Sequence, residues 1–160
     1  MLKGPGGSDL PGRSRTATPM DLDQALELAA LLHARQVDQA GQPYIGHIRR
    51  VVDAVDSLDE KLAAAFHDLL EDTEMTARGL FDAGCPPRVV VAVEDLTRRR
   101  GEDYEVFVAR AARNPIARVV KRADVADNAA EERLARLPEE VADRLRARYA
   151  RAVEILDGQP

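Results

Sequence analysis

The spacing of apolar residues constrains the fold of this chain more than any other feature. Apolar side chains recur every three or four residues, as Leu22, Ala25, Leu26 and Ala29 do, and no stretch shows the strict alternation of a β-strand. Stops separate the periodic segments at Gly84, Gly101, the Asn114-Pro115 pair, Pro138 and Gly158. The sequence therefore predicts an all-α fold, a helical bundle of about seven or eight helices.

The expected helices begin with one whose N-cap is Thr18 and whose first turn contains Pro19. This helix runs to about residue 33, and the others cover residues 44–55, 59–71, 77–82, 87–98, 104–112, 116–133 and 139–156. Aromatic residues make up only 4% of the chain, which favours a bundle packed from small aliphatic side chains. Residues 1–17, rich in Gly, Pro, Ser and Arg, predict a flexible tail before a single domain over residues 18–160.

Composition also limits the cellular setting and the partners. No apolar run approaches the roughly 20 residues that span a bilayer, and the N-terminus lacks the apolar core of a signal peptide. The single cysteine, Cys85, cannot form an internal disulfide, which favours a reducing cytoplasm. A net charge of −5 argues against a nucleic-acid platform. We therefore expect a cytoplasmic protein with no membrane or nucleic-acid partner, of undetermined oligomeric state.

Residues 67–73, with the sequence HDLLEDT, place one imidazole and three carboxyl groups in a short stretch of predicted helix. Carboxylates held this close repel one another unless a cation or a proton is shared among them. A His-Asp doublet supplies a borderline nitrogen and a hard oxygen, which suit a divalent metal such as Mn²⁺, Fe²⁺ or Zn²⁺. His67 and Asp68 are therefore candidate metal ligands, and further ligands must come from other elements.

Two more candidate ligands lie on other predicted helices. The chain has three histidines, of which His47 follows a Pro-Tyr-Ile-Gly segment at the start of a helix with an apolar stripe. Asp124 lies in a largely apolar helical run and is the leading candidate for a further carboxylate ligand. His33 lies on a helix with an apolar face, where a structural or pocket-rim role is the preferred interpretation.

Three separated blocks of the sequence resemble one known family. Residues 41–47 (GQPYIGH) are similar to its Gly-Glu-Pro-Tyr-Ile-x-His motif, residues 67–73 to its His-Asp-x-x-Glu-Asp-Thr motif, and residues 121–128 (KRADVADN) to its Lys-Leu-Ala-Asp-x-x-x-Asn motif. The family is that of the HD-domain metal-dependent phosphohydrolases, and specifically the RelA/SpoT hydrolase domain with the stand-alone small alarmone (ppGpp) hydrolases. The resemblance spans residues 22–128 in matching order and spacing.

The resemblance implies an HD-domain fold and a role for each matched residue. By position, it implies a divalent metal, usually Mn²⁺, bound by His47, His67, Asp68 and Asp124. It further implies that Glu71 and Asp72 form the catalytic acidic pair. Asn128 matches an asparagine that lines the family's nucleotide pocket. Apart from the resemblance, Lys121 or Arg122 could offset phosphate charge, and the helical phase of Asp124 leaves open which of the two points inward. Asp127 is either a residue that hydrogen-bonds to a metal ligand without binding the metal itself or a solvated surface acid.

Two positions differ from the alarmone hydrolases. Asp38 stands where these enzymes usually have an arginine that packs on the guanine base, and Glu131 stands where they often have a threonine near the ribose. A carboxylate cannot replace a stacking cation, so we expect weak or relaxed selection of guanine. Residues 98–100, three consecutive arginines, could contact a pyrophosphate, although an exposed C-terminal helical turn is the preferred interpretation.

Together these features predict a metal-dependent phosphohydrolase that acts on a nucleotide, most plausibly by removing the 3′-pyrophosphate of (p)ppGpp. Two alternatives stay open at the level of sequence. One is an HD phosphohydrolase acting on another nucleotide or phosphoester, which the residues at positions 38 and 131 favour. The other is a non-catalytic nucleotide sensor, against which the intact acidic pair argues.

Overall fold

The structure of the protein is a computed structural model that describes residues 18–158. The tail predicted for residues 1–17 lies outside the described residues. Ten helical segments follow one another along the described chain: α1 (Leu22–Leu32), α2 (Ile45–Asp53), α3 (Leu58–Phe66), α4 (Leu69–Asp72), α5 (Ala77–Asp82), α6 (Pro87–Asp95), α7 (Tyr104–Ala111), α8 (Pro115–Asn128), α9 (Glu131–Leu134) and α10 (Glu139–Asp157). Within this range the only β-type pairing is one isolated bridge between Val37 and Pro43. The all-α prediction is confirmed.

Side-chain caps fix where several helices begin. Asp21 caps α1 in a capping box with Gln24, so the N-cap predicted at Thr18 is wrong by three residues. The aspartate wins because its carboxylate accepts the Gln24 N–H while the Gln24 side chain accepts the Asp21 N–H in return. Ser57 and Glu60 form the same arrangement at the start of α3. Asn114 caps α8 immediately before Pro115, where the stop was predicted.

Two predicted helices are each broken in two, which raises the number of segments from about eight to ten. The helix expected over residues 59–71 ends at Phe66, and α4 begins only at Leu69. Asp68, with φ −106° and ψ 0°, leaves the helical region at this break. The helix expected over residues 116–133 likewise ends at Asn128 before the short α9. The apolar periodicity continues across both breaks, so neither break could be predicted from it.

Helix α3 lies at the centre of the larger of two hydrophobic cores. Its residues 62–66 are completely buried, and it packs against α1, α2, α6 and α8. A smaller cluster, which includes Val108, Val125 and Leu156, joins α7, α8 and α10. The C-terminal end of α3 therefore delivers His67 into a site walled by α2 and α8. None of the described helices is both long and apolar enough to cross a membrane.

Cys85 lies buried in the loop between α5 and α6. Burial raises the pKa of its thiol to about 11, so the thiolate is scarce at neutral pH. The buried thiol is therefore poorly suited to act as a nucleophile.

Candidate metal centre

Three of the four predicted metal ligands meet in one buried cluster. His47 from α2, His67 from the end of α3 and Asp124 from α8 each offer a ligand atom, and these atoms lie within 4.8 Å of one another. The three side chains belong to residues that are at most 4% exposed. The two Nε2 atoms are 3.3 Å apart, and Asp124 Oδ1 lies 3.2 Å from that of His47 and 3.5 Å from that of His67. The helices thus bring two nitrogens and a hard oxygen together.

Hydrogen bonds on the far side of each imidazole determine which nitrogen faces the cluster. His67 Nδ1 is 2.7 Å from the carbonyl oxygen of Ala64, which can only accept, so Nδ1 carries a proton. His47 Nδ1 is 2.6 Å from a carboxylate oxygen of Asp127 and donates to it in the same way. In the neutral imidazoles, both Nε2 lone pairs therefore point at the same space. Two lone pairs this close are stable only with a cation or a proton between them.

The charges around the two imidazoles favour a positive charge at this point. Burial alone would lower the pKa of His47 and of His67, but neighbouring carboxylates, including Asp124, raise both pKa values. Without a metal, the cluster would therefore take up a proton. A divalent cation would displace that proton, so its binding should be favoured as pH rises.

Asp68, the fourth predicted ligand, lies at the edge of the cluster. Its Oδ2 atom is 2.9 Å from His67 Nε2 and 4.0 Å from His47 Nε2. The hydroxyl of Tyr44 donates a short hydrogen bond to the same oxygen. The position of Asp68 at the break between α3 and α4 turns its carboxylate towards the same space as His67. Its role as a ligand stays a prediction.

Two residues of α8 hold the carboxylate of Asp124. Lys121 Nζ donates to Oδ2 at 2.8 Å, and Asn128 Nδ2 donates to Oδ1 at 2.8 Å. Burial alone would raise the pKa of Asp124, but the adjacent Lys121 ammonium and the two histidines hold it well below the usual range. Lys121 and Asn128, predicted as substrate-binding residues, therefore contact a candidate metal ligand directly.

Asp127 connects His47 to two arginines. Besides accepting from His47 Nδ1, its carboxylate accepts from Arg50 Nε at 2.6 Å and from Arg133 Nη1 at 3.2 Å. Burial would raise the pKa of Asp127, but the hydrogen bonds from His47 and Arg50 lower it to about 2. Of the two interpretations left open by the sequence, the structure supports the first. Asp127 is a partner of the candidate ligand His47, of the kind that orients metal-bound histidines.

Glu71 and Asp72, the predicted acidic pair, lie on α4 and reach solvent next to the cluster. Desolvation by neighbouring protein atoms, followed by the negative charge of Asp68, raises the pKa of both carboxyl groups. Lys121 partly counteracts this rise for Glu71. The two acids thus differ from the ligand cluster in being open to substrate, and their catalytic role stays a prediction.

A basic rim, formed by Arg98, Lys121 and Arg148, surrounds the ring of Tyr104. Their cationic groups lie 5.9, 5.8 and 4.6 Å from the ring centroid. Arg98 also donates from Nε to the carbonyl oxygen of Glu102 and is only partly exposed. For Arg98, the preferred interpretation as an exposed helical turn is therefore wrong, because this side chain folds back over Tyr104. Arg99 and Arg100 are exposed as expected, but α6 ends at Asp95 rather than at Arg98, so none of the three arginines belongs to a helical turn.

A cavity of about 280 Å³ adjoins the cluster, and both Tyr44 and Asn128 line it. Its wall also includes Leu134, Leu137, Leu145 and Tyr149. Asp38 and Arg133 contribute polar groups to the same wall. Tyr44 bonds to Asp68 and Asn128 bonds to Asp124, so these two residues connect the wall of the cavity to the candidate metal position.

The two residues that differ from the alarmone hydrolases have different environments. Asp38 is nearly buried, accepts the backbone N–H groups of Ala40 and Gln42, and pairs with Arg133 Nη2 at 3.4 Å. Its carboxylate is therefore committed to its own loop and to an arginine. Glu131 is exposed, pairs with Arg146 and does not line the cavity.

The comparison with solved structures identifies the fold. A structure described as a metazoan ortholog of SpoT that hydrolyzes ppGpp and plays a role in starvation responses superposes with a TM-score of 0.74. The alignment covers 94% of this chain and 89% of that chain, at 22% sequence identity. The two chains share one fold. The HD-type all-α fold implied by the three sequence blocks is thus confirmed. No family model matches the sequence, and the comparison with curated proteins gives no significant match.

Several residues of this site were not predicted from the sequence. Tyr44 lies within the block of residues 41–47, but nothing in the sequence indicates its bond to Asp68, and Arg133 and Tyr149 resemble ordinary surface residues of helical segments. The sequence is equally compatible with Asp127 as a partner of a metal ligand and as a solvated surface acid. Its partner His47 is 80 residues away in the chain, so no local pattern could have joined them. The Tyr-Ile-x-His spacing was the one available signal for Tyr44, which stands one helical turn from His47.

Proposed function

We propose that this protein is a metal-dependent phosphohydrolase that acts on a nucleotide, most plausibly as a (p)ppGpp 3′-pyrophosphohydrolase. One observation carries the proposal. Two buried imidazoles, His47 and His67, have their Nδ1 protons committed elsewhere and aim Nε2 at one carboxylate oxygen of Asp124. These atoms form a buried donor set for a divalent cation, next to the solvent-exposed acids of α4.

The donor set suits a first-row divalent ion. Two imidazole nitrogens with the carboxylates of Asp124 and Asp68 offer mixed borderline and hard ligands, which fit Mn²⁺. Such an ion polarises a phosphoryl oxygen and makes water more acidic, which supplies the main chemical assistance in phosphoester hydrolysis. Asp127 and Ala64 keep the imidazoles in the required tautomer. Lys121 and Asn128 keep the Asp124 carboxylate in place.

Glu71 and Asp72 would orient the attacking water or accept its proton. Both lie on the short α4 helix immediately after the break that carries His67 and Asp68. A general base works best when its pKa lies near the working pH, and the pKa of each of these carboxyl groups is raised. Their position next to the cluster and their access to solvent support a role with the substrate rather than in the fold.

The surroundings of the centre support a phosphorylated nucleoside as the substrate. The basic rim, with three cationic side chains around Tyr104, could offset the charge of a pyrophosphate. The cavity of about 280 Å³, with its leucine and tyrosine wall, offers room for a base. The neighbour of known structure, which hydrolyzes ppGpp, supports the same substrate class.

The identity of the base depends on Asp38 and Arg133. Asp38 supplies no stacking cation, but the guanidinium that it binds lines the same cavity. Because Asp38 and Asp127 hold that guanidinium, its flat face could still pack on a base. A nucleotide other than a guanine nucleotide is the second candidate substrate, which the carboxylate at position 38 favours.

Turnover of a panel of 3′- and 5′-phosphorylated guanine and adenine nucleotides with Mn²⁺ tests the proposal. We expect release of pyrophosphate from ppGpp or its adenine counterpart, and no turnover after Mn²⁺ is removed by a chelator. Turnover of 5′-nucleotides alone would contradict the pyrophosphohydrolase activity and favour another HD phosphohydrolase activity. Stoichiometric metal without turnover of any nucleotide would favour the sensor.

A further inference from the structure

His33 is a buried histidine that the candidate metal centre does not use. It follows α1 directly, is 1% exposed, and its ring centroid lies 5.2 Å from that of Tyr44. Its Nε2 atom is the only buried side-chain nitrogen or oxygen among residues 18–158 that has no hydrogen-bond partner. Buried polar atoms nearly always have partners, so this one requires an explanation.

Gln36 determines the tautomer of His33. The Gln36 amide nitrogen donates to the carbonyl oxygen of Asp72 at 3.0 Å, and a carbonyl oxygen can only accept. The other end of the amide, Oε1, must then be the atom that lies 2.7 Å from His33 Nδ1. An amide oxygen also only accepts, so Nδ1 carries the imidazole proton. The Nε2 atom of the neutral ring therefore has a bare lone pair and needs a donor.

The donor cannot come from the protein side chains around His33, because none reaches Nε2 in the described residues. The same glutamine that fixes the ring also binds the backbone of Asp72. Through its two hydrogen bonds, Gln36 places the His33 ring beside Asp72. A water molecule is the remaining donor that satisfies a buried acceptor, and it has a second hydrogen to give.

We propose that His33 is a positioning residue that holds a water molecule between its Nε2 lone pair and the Asp72 carboxylate. The water donates one hydrogen to Nε2 and the other to a carboxylate oxygen, which fixes the orientation of that carboxylate. His33 itself does not touch substrate. The inference rests on the proposed function in one respect, which is that Asp72 accepts the proton of the attacking water.

The tautomer can be measured without any activity. The chain has three histidines, so long-range ¹H–¹⁵N spectra of the Zn²⁺-loaded protein at pH 8 should resolve every ring; Zn²⁺ avoids the broadening that Mn²⁺ causes. We expect His33 Nδ1 to show the shift of a protonated nitrogen and Nε2 that of a bare one. Gln36→Ala should weaken this preference. A protonated Nε2 in the unaltered protein would overturn the inference.

Paired substitutions of His33 test the water site through kinetics. Gln places its amide oxygen near the position of Nε2, Asn reaches only the position of Nδ1, and Phe keeps the ring but neither nitrogen. We expect His33→Phe and His33→Asn to lower kcat about tenfold, the scale of one lost orienting hydrogen bond, with KM unchanged. His33→Gln should restore most of kcat.

The outcomes separate this inference from the proposed function. Equal kcat in the Phe, Asn and Gln variants, all folded as judged by circular dichroism, would overturn the water site and leave the phosphohydrolase intact. A fall in kcat that follows the fall in melting temperature across the three variants would also overturn it, because it would indicate a packing role for His33. An unaltered protein without turnover would overturn the proposed function, and the tautomer measurement would then decide on its own whether His33 has the bare Nε2 that the water site requires.

Discussion

The two carboxylate-bearing parts of the site differ in how completely the fold constrains them. At the buried cluster, both oxygens of Asp124 and the Nδ1 atoms of both histidines already have protein partners. On α4, the carboxylates of Glu71 and Asp72 reach solvent, and their pKa values are raised rather than lowered. This difference indicates that hydrogen bonds within the fold orient the candidate metal ligands, whereas the two acids on α4 stay free to interact with a substrate.

The largest expected effect follows from removing a proposed metal ligand. His67→Ala or Asp68→Ala should abolish metal binding and turnover while leaving much of the helical content. The reason is that each substitution removes a proposed ligand, whereas the packing of α3 depends on its apolar residues 62–66. Metal content by elemental analysis and far-UV circular dichroism check both parts. Glu131→Gln, an exposed acid outside the cavity, is the control and should keep its metal.

A smaller but still large effect is expected at the open acids. Glu71→Gln and Asp72→Asn should retain the metal but lower kcat, by about 10² to 10⁴ for a residue that assists proton transfer. Steady-state kinetics at saturating Mn²⁺ measures the loss. Glu74→Gln changes the next exposed acid of the same segment and should have no comparable effect. Near-normal turnover in both acid variants would remove the functional distinction between the two parts.

The raised pKa values predict the pH dependence of catalysis. A proton acceptor is active when deprotonated, so kcat should rise with pH, about tenfold per unit, up to a pKa that is raised from the usual value of that carboxyl group. Because folding raises these pKa values, ionisation of the same acids makes a small unfavourable contribution to stability above that pKa. The more impaired of the two amide variants should lose this limb of the profile. An unchanged limb would assign it to another group.

Loss of the carboxylate behind His47 should weaken metal binding without abolishing it. Asp127→Asn leaves an acceptor for Nδ1 but removes the charge, and partners of this kind contribute about 10- to 100-fold to metal affinity or activity. Competition with a chelator of known affinity measures the change. Asp143→Asn, an exposed acid on α10, serves as the control. Unchanged affinity would mean that the cluster is organised without Asp127.

The smallest effect concerns selection of the base. Arg133→Met keeps the bulk of the stem but removes the guanidinium, and such cation and aromatic contacts contribute roughly 0.5 to 2 kcal/mol. We expect a higher KM for the preferred nucleotide with kcat less affected, since the contact is present in the ground state and transition state alike. Asp38→Arg should lower KM for the guanine nucleotide only if position 38 can reach the base. Comparison of ppGpp with its adenine counterpart measures both changes.

The sequence predicted those parts of the structure that local chemistry determines. Helical periodicity gave the all-α fold, and the restricted choice of metal-binding side chains singled out His47, His67 and Asp124. The break after Phe66 escaped prediction because the apolar spacing runs through it. The bonds from Asp127 to His47 and from Asp38 to Arg133 join segments that are distant in the chain. Such partners become visible only when the helices pack.

The position of the metal is the most direct test of the account. A crystal of the Mn²⁺-loaded protein, measured at the manganese absorption edge, should show one anomalous peak between the Nε2 atoms of His47 and His67. The carboxylates of Asp124 and Asp68 should lie within coordination distance of that peak, and Glu71 and Asp72 should lie beyond it. A peak at Glu71 or Asp72 with free histidines, or no peak at this cluster, would contradict the proposed division between buried ligands and open acids.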